Sequence, residues 1–211
     1  METLKTPQLL EIIEAANIHP KKVKGCYIFG SRCYQTASEF SDWDIILIAN
    51  STSYETEIVV GNYNIHIITP DLALKYAKDN HIKAIELICA PEWAKLLEFD
   101  FKFVYKEDSF RHNISHTVSN SWVKAKKKIQ QGDYYIGIKS LFHSLRIADF
   151  GTQFASRGRI DFTSSNWIWK EINSEAEFEW EDLFKRYKPL LNERLTEFRK
   201  LASKKNPEDL S

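Results

Sequence analysis

The most informative part of the chain reads Tyr27-Ile28-Phe29-Gly30-Ser31 and then, after a spacer of ten residues, Asp42-Trp43-Asp44-Ile45-Ile46-Leu47-Ile48. Both apolar runs are typical of short buried strands, and Gly30-Ser31 breaks the first of them. Glycine lets the backbone come close to a ligand, and a serine beside free backbone N–H groups can hold phosphate oxygens. Because side chains alternate across a strand, Asp42 and Asp44 are predicted to share one face.

Two carboxylates side by side are costly unless a cation neutralises them. Mg²⁺ (or Mn²⁺) suits such a pair, since it is a hard ion that takes one or two carboxylates together with substrate phosphates. A phosphate cradle beside a carboxylate pair is the equipment of metal-assisted phosphoryl or nucleotidyl transfer. Residues 27–48 therefore predict a metal-dependent transferase site.

This pattern resembles the signature of the DNA polymerase β-type nucleotidyltransferase superfamily, in which an apolar-Gly-Ser turn precedes Asp-x-Asp in an apolar strand. The resemblance covers residues 25–50 closely, and Arg32 and Ser41 also fit it. Residues 80–91 and 139–146 resemble two helices of nucleotidyltransferases predicted in bacteria and large phages. The second of these is a His-x-x-Arg helix.

The resemblance implies an α+β fold. Residues 1–105 would form a nucleotidyltransferase-type mixed β-sheet with flanking helices, and residues 106–211 a C-terminal helical bundle that serves as an acceptor or phosphate clamp. The implied activity is Mg²⁺-dependent transfer of a nucleoside monophosphate from a nucleoside triphosphate to a hydroxyl acceptor, with release of pyrophosphate. An RNA end, a small molecule or a protein side chain all stay open as the acceptor.

The resemblance also implies roles for single residues. Asp42 and Asp44 would be catalytic and hold the metal. The nucleotide would be bound by Gly30, Ser31, Arg32, Ser41, Lys139, His143 and Arg146. His143 and Arg146 lie one turn apart on a predicted helix, and such a pair is equally compatible with a polar stripe packed against the sheet domain.

The chain departs from the family where a later strand usually supplies a third carboxylate. Asn64 and His66 share the polar face of the predicted strand there, and no Asp or Glu does. Three interpretations stay open. His66 takes the place of the carboxylate as a base or weak metal ligand; transfer is slow or the acceptor supplies its own base; or the domain is a catalytically decayed, antitoxin-like nucleotide-binding or interaction module.

The rest of the chain predicts strands before residue 106 and helices after it. The expected strands are 24–29, 42–49 and 101–105, with a hairpin of 55–60 and 63–69 turning on Gly61. Helices are expected to start at Thr6-Pro7 and Thr69-Pro70. The other predicted helices are 81–89, 91–98, 109–131, 134–156 and 179–202. Glu86 is interpreted as a structural residue that pairs with a basic group.

Composition adds weaker indications. The 211 residues carry 29 basic and 29 acidic side chains, but residues 102–159 hold 11 basic and 4 acidic ones. Such a local excess of basic residues is typical of a protein that binds a phosphate-bearing partner, and also of an ordinary solvated helix face. The lysines at 124 and 126–128 are interpreted as such a face, which could steer nucleic acid. His112 and His116 are interpreted as surface or domain-junction residues, since no Cys, Asp or Glu is spaced to complete a zinc site with them.

The sequence also favours one compartment. Three cysteines without a C-x-x-C pair indicate reduced thiols. No apolar run is long enough to cross a bilayer, and residues 1–5 lack the pattern of a signal peptide. The expected localisation is therefore cytoplasmic, with no membrane partner and with the oligomeric state left open.

Overall fold

The computed structural model describes residues 6–51, 53–174 and 179–202. The chain is α+β, as predicted, with a five-stranded mixed sheet, flanking helices and helices towards the C-terminus. It divides into two compact units: the first runs to Lys78 and includes Lys83–Phe103, and the second consists of Asp79–Ile82 and the chain from Val104 onward. Residues 1–5, which lack the sequence pattern of a signal peptide, lie outside the described residues.

The first unit contains the whole sheet. Its strands are β1 (Val23–Phe29), β2 (Trp43–Ala49), β3 (Glu55–Val60), β4 (Tyr63–Ile68) and β5 (Lys95–Leu97). They lie in the order β3-β4-β2-β1-β5, and only the β2–β4 pair is parallel. The hairpin of β3 and β4 turns on Gly61 as predicted, at a φ of 58° that favours glycine.

The centre of the sheet is the core of the first unit. β2 lies between β4 and β1, and all its residues except Asp44 are buried. Ile45, Leu47 and Ile48 have no exposed surface at all. A central strand whose two faces are both covered usually has a continuous apolar sequence. The carboxylate of Asp44 near the start of β2 is an exception to that pattern.

Three helices flank the sheet strands in sequence: α1 (Leu9–Ala15), α2 (Pro70–Lys78) and α3 (Ile82–Ile88). α2 begins as predicted, with the Thr69 hydroxyl accepting the Leu72 N–H at 3.3 Å. The predicted start of α1 at Thr6-Pro7 is wrong, because the Glu11 carboxylate accepts the Gln8 N–H at 2.8 Å and fixes the first turn there.

The predictions for residues 91–105 are also wrong. A single 3₁₀ turn, Glu92–Ala94, replaces the expected helix, and β5 follows it and pairs with β1. No strand forms at residues 101–105, where Phe101 instead packs its ring 5.9 Å from that of Tyr27. Pairing with a distant strand overrides the local preference of this segment.

The second unit is helical. It contains α4 (Glu107–Gln130), α5 (Tyr134–Arg157), α6 (Asn166–Ile172) and α7 (Trp180–Ala202), and α4, α5 and α7 pack on one another. The sequence predicts the three long helices but not α6. Phe110 lies at the centre, with its ring 5.5 Å from Phe154 and 5.4 Å from Phe198. α5 ends at Gly158, which adopts the left-handed conformation that favours glycine.

None of the helices within the described ranges is both long enough and apolar enough to cross a membrane. Cys26 and Cys33 are buried free thiols, and burial raises the pKa of each to about 12. Both therefore stay protonated at neutral pH and behave as small apolar residues.

Candidate functional site

The turn after β1 is built around Gly30. Gly30–Arg32 form a single 3₁₀ turn, with Gly30 at a φ of 71°. The Gly30 carbonyl accepts the Tyr34 N–H at 3.1 Å, and the Ser31 carbonyl accepts the Thr36 N–H at 2.9 Å. The Ser31 hydroxyl has no hydrogen-bond partner within the part of the chain that the structure describes. It is therefore available to a ligand.

Asp44 sits directly against this turn. It pairs with Phe29 of β1 on one side and with Asn64 of β4 on the other. A methyl group built on Gly30 would lie 2.2 Å from Oδ2 of Asp44. Residue 30 must therefore be glycine both for its backbone conformation and for the space that the Asp44 carboxylate occupies.

Asp42 lies just before β2 and is exposed, whereas Asp44 is half-buried. Trp43, between them, is buried and donates its N–H to the Asn62 carbonyl at 2.8 Å. That bond fixes the chain where it enters the strand. Two carboxylates two residues apart thus flank an anchored tryptophan at the end of β2 nearest the turn.

Asn64 occupies the position on β4 next to Asp44. Its Nδ2 donates to Oδ1 of Asp44 at 3.3 Å, and its own Oδ1 is buried without a hydrogen-bond partner among the described residues. An unpaired buried amide oxygen costs free energy unless something binds it. The sequence singles out Asn64 only as a polar neighbour of His66, since strand register is not visible in one chain.

His66 lies two residues further along β4, in register with Ile46. Its Nδ1 is 3.7 Å from Glu55 and its Nε2 is 3.9 Å from Glu57, both on the edge strand β3. Lys83 also contacts Glu55, at 3.5 Å. His66 therefore belongs to a charged cluster on β3 and β4, and the residue in register with Asp44 is Asn64.

Arg32 and Ser41 hold the spacer between the turn and β2. The Arg32 guanidinium donates to the Ser41 carbonyl and lies 4.2 Å from the centre of the Trp43 ring. The Ser41 hydroxyl accepts the Ser38 N–H at 2.9 Å. Both predicted nucleotide-binding side chains thus have contacts that shape the loop. Phe40, which the sequence does not single out, is 87% exposed beside them.

Tyr34 and Glu86 link this loop to α3. The Tyr34 hydroxyl donates to the Glu86 carboxylate at 2.7 Å. The negative charges of Glu86 and Asp44 add to burial in raising the pKa of Cys33, so a second carboxylate lies near the turn. A basic partner is expected for Glu86 from the sequence, and the contact described here is with the hydroxyl of Tyr34. No local pattern could show this contact, because 52 residues separate the two.

The three predicted phosphate-binding residues on α5 belong to the second unit. Arg146 is 6% exposed, donates to Nδ1 of His143 at 2.8 Å, and lies 5.2 Å from the ring centre of Phe142. Burial, followed by the charges of Arg146 and Lys124, lowers the pKa of His143 to about 3. His143 is therefore neutral. Lys139 is exposed, 5.0 Å from the ring centre of Tyr135.

Asp44, its neighbour Asn64 on β4 and Asp42, two residues earlier in the chain, carry oxygen ligands that suit a magnesium ion bound to phosphate. No group of three or more His, Cys, Asp or Glu side chains in the described ranges could hold a metal by itself. Mg²⁺ at a phosphate needs only one or two carboxylates, and its preferred ligands are oxygens. Asp44, Asp42 and the unpaired Oδ1 of Asn64 supply oxygens alone, so the residues present fit such an ion.

A cavity in the first unit lies elsewhere. It has a volume of about 480 Å³ and contains none of the predicted site residues. Its walls come mainly from β5 and the chain that follows it, with the hydroxyl of Tyr27 accepting the Phe99 N–H at 2.6 Å. Its four charged lining residues form two ion pairs, Lys95 with Glu98 at 2.8 Å and Lys102 with Asp100.

Comparison with known proteins finds no related sequence and one distant structural similarity that is described here. No protein-family model matches the chain, and no curated protein matches its sequence. Among solved structures, the chain is similar to a nucleotidyltransferase-like protein from Exiguobacterium sibiricum 255-15, with 11% identity over 91% of this chain and 72% of that one, at a TM-score of 0.33. So low a TM-score carries no argument.

Proposed function

We propose that the chain is a nucleotidyltransferase that binds a nucleoside triphosphate with Mg²⁺ at the turn after β1. The observation that carries this proposal is the seating of the Asp44 carboxylate against Gly30, where any side chain at position 30 would displace it. The Ser31 hydroxyl next to it supports phosphate binding, since a hydroxyl and nearby backbone N–H groups suit phosphate oxygens.

Three side chains would hold the metal. Asp44 and Asp42 would supply carboxylate oxygens, and Asn64 would supply the amide oxygen that is buried without a partner. The bound ion would neutralise charge on the triphosphate. The chain would then act mainly by holding the α-phosphate in line with an acceptor hydroxyl, and positioning and electrostatic stabilisation are the terms that dominate such reactions.

His66 is the proposed general base. Glu55, 3.7 Å from Nδ1, would hold the imidazole in place, and Nε2, which lies 3.9 Å from Glu57, would accept the proton of the acceptor hydroxyl. A His66→Gln variant is expected to lower transfer at saturating nucleotide while nucleotide binding stays unchanged. An RNA end, a small molecule or a protein side chain stays open as the acceptor.

One observation favours a second candidate, a module that binds nucleotide without turnover. The residue in register with Asp44 is an amide, so the pair on β2 has no third carboxylate beside it on β4. An amide accepts no proton at neutral pH and adds no negative charge. A site with only Asp42 and Asp44 would still hold one magnesium–triphosphate.

The test uses labelled nucleotides. The protein is incubated with α-labelled ATP, GTP, CTP or UTP and Mg²⁺, with total RNA, a polyol mixture or the protein itself as acceptor. Transfer is expected to fall by about a hundredfold to a thousandfold in Asp44→Asn and Asp42→Asn, the loss seen when one group that stabilises developing charge is removed. Asp71→Asn, at an exposed position at the start of α2, is the control and should keep full activity.

The same experiment separates the two candidates. Equal transfer by Asp44→Asn and the parent protein would reject the transferase proposal. Magnesium-dependent ATP binding by calorimetry, lost in Asp44→Asn but without transfer to any acceptor, would establish the binding module instead.

A further inference from the structure

Helix α4 presents a long exposed face that carries no acidic side chain. Between Asp108 and Asp133 the sequence contains no Asp or Glu. The inward side of α4 is buried and mostly apolar, whereas its outward side is exposed over residues 112–130. The exposed residues, which we call the α4 face, are His112, His116, Ser119, Asn120, Val123, Lys124, Lys126, Lys127 and Gln130. At 1.5 Å per residue, this face is about 27 Å long.

Within the described ranges, most lysines of helix α4 make no ion pair, although, after the hydrogen bond from Lys128, the charge of Lys124 helps to lower the pKa of Asp133. Lys128, at the edge of the face, pairs with Asp133 at 2.8 Å. Lys124, Lys126 and Lys127 form no ion pair with any residue that the structure describes. Three ammonium groups within one turn of a rigid helix, none of them in an ion pair among the described residues, create a positive potential that attracts polyanions.

Two imidazole rings extend the face toward the start of the helix. His112 and His116 stack with their centroids 5.9 Å apart and their planes 13° from parallel. The Asn120 amide lies 3.3 Å from the His116 ring nitrogens and continues the row of hydrogen-bonding groups. Exposed aromatic rings next to lysines are what unpaired bases stack on in proteins that bind single strands.

We propose that the α4 face binds a single-stranded nucleic acid, with the three lysines on its phosphates and the two histidines against its bases. A face of about 27 Å spans several phosphates of an extended strand, which lie about 3.4 Å apart or more. A membrane surface fits less well, because Val123 is the one large apolar side chain on the face and gives nothing to insert. The proposal does not rest on the transferase activity.

The test measures binding of fluorescein-labelled 20-nucleotide RNA and DNA of one sequence by anisotropy, from 50 to 200 mM salt at pH 8. The variant Lys124→Gln/Lys126→Gln/Lys127→Gln is expected to raise Kd at least tenfold at 100 mM salt. It should also lower the slope of log Kd against log salt by about 2, since each phosphate contact to a single strand contributes about 0.7. Binding of both strands supports backbone recognition, and binding of RNA alone would assign the strand as RNA.

The matched control is Lys21→Gln/Lys22→Gln/Lys24→Gln, which removes the same charge from three exposed lysines of the first unit. It should change Kd by less than twofold. His112→Ala/His116→Ala should raise Kd about fivefold and leave the salt slope unchanged, because stacking releases no counterions.

Three results would overturn the proposal. The first is that neither strand binds the parent protein, and the second is that the control lysines matter as much as those on α4. The third is that vesicles containing phosphatidylserine bind in an α4-dependent way while the nucleic acids do not.

Discussion

The turn at Gly30 and the middle of α5 both match sequence patterns for phosphate binding, yet the structure uses their polar groups differently. At the turn, the Ser31 hydroxyl and the Asn64 amide oxygen have no hydrogen-bond partner in the described parts of the chain, and the Asp44 carboxylate is half-buried beside them. A bound ligand could supply the hydrogen-bond partners that these polar groups lack within the protein.

On α5 the polar groups are built into the interior. The Arg146 guanidinium lies 5.2 Å from the Phe142 ring centre and 5.8 Å from that of Phe150, and it donates to a neutral His143. A cation on aromatic faces with a hydrogen-bond acceptor is stable without a ligand. The comparison teaches that spacing shows which side chains can meet, whereas the contacts in the fold show which of them already pack against, or bond to, the protein itself.

The substitution Gly30→Ala tests the first region, and among the substitutions that compare the two regions it is expected to have the largest effect on nucleotide transfer. The new methyl group would meet Oδ2 of Asp44 at 2.2 Å, so the carboxylate must move. We expect nucleotide transfer to fall at least about a hundredfold, as misplacement of a reacting group by 1 Å can cost that much. The free energy of unfolding should also fall by about 2–3 kcal/mol, from the left-handed backbone together with the clash.

Gly61→Ala is the matched control. Gly61 has a similar φ of 58°, but a methyl group there would meet nothing within 4 Å. Its cost is therefore the backbone term alone, about 1–2 kcal/mol, without loss of transfer. Urea unfolding and transfer rates would measure both variants. Equal transfer losses in the two would show that the contact between Gly30 and Asp44 is irrelevant to function.

The second region is tested by Arg146→Ala. If Arg146 is an internal packing group, the variant loses its contacts with two phenylalanine rings and leaves the His143 acceptor unpaired. The free energy of unfolding should then fall by about 3 kcal/mol, while the folded protein keeps its Kd for Mg·ATP. A phosphate clamp would give the opposite result, a weaker Kd at unchanged stability. Lys170→Ala, at an exposed position of α6, is the control for the loss of one charge.

The substitution Asn64→Asp would test the first region by placing a second carboxylate next to Asp44. A second carboxylate beside Asp44 should lower the melting temperature without metal and tighten Mn²⁺ binding about tenfold, since like charges repel until a cation joins them. Mn²⁺ binding is measured by electron paramagnetic resonance. The melting temperature is measured in the presence and in the absence of Mg²⁺. Asn62→Asp adds the same charge on the exposed turn and should change neither. Unaltered Mn²⁺ affinity in Asn64→Asp would exclude position 64 from the metal site.

Much of the first unit follows from local sequence. The strand before Gly30-Ser31, the hairpin at Gly61 and the start of α2 at Thr69-Pro70 are all predicted, because each depends on residues a few positions apart. Residues 91–105 are not, since β5 exists through its pairing with Cys26 and Tyr27, about seventy residues earlier.

The candidate site shows the same limit. The sequence predicts the turn and the two aspartates, but the place of Asn64 depends on the register between β2 and β4. The contact between Tyr34 and Glu86 is equally non-local. Helix α6 is missed for another reason: it is seven residues long, and only Ile168 and Ile172 are buried, too few for a periodic pattern.

The smallest expected effect is the pH dependence of stability that His143 imposes on the second region. Its pKa is about 3 in the folded protein and about 6.5 in the unfolded chain, so only the unfolded chain binds a proton between these values. Stability must therefore fall as the pH drops from 7, by about 1 kcal/mol at pH 5.5. His143→Gln removes the titrating group and should flatten the stability profile over this range, measured by urea unfolding. An unchanged slope in His143→Gln would mean that the imidazole is open to solvent and free to bind a phosphate, and the contrast between the two regions would then fail.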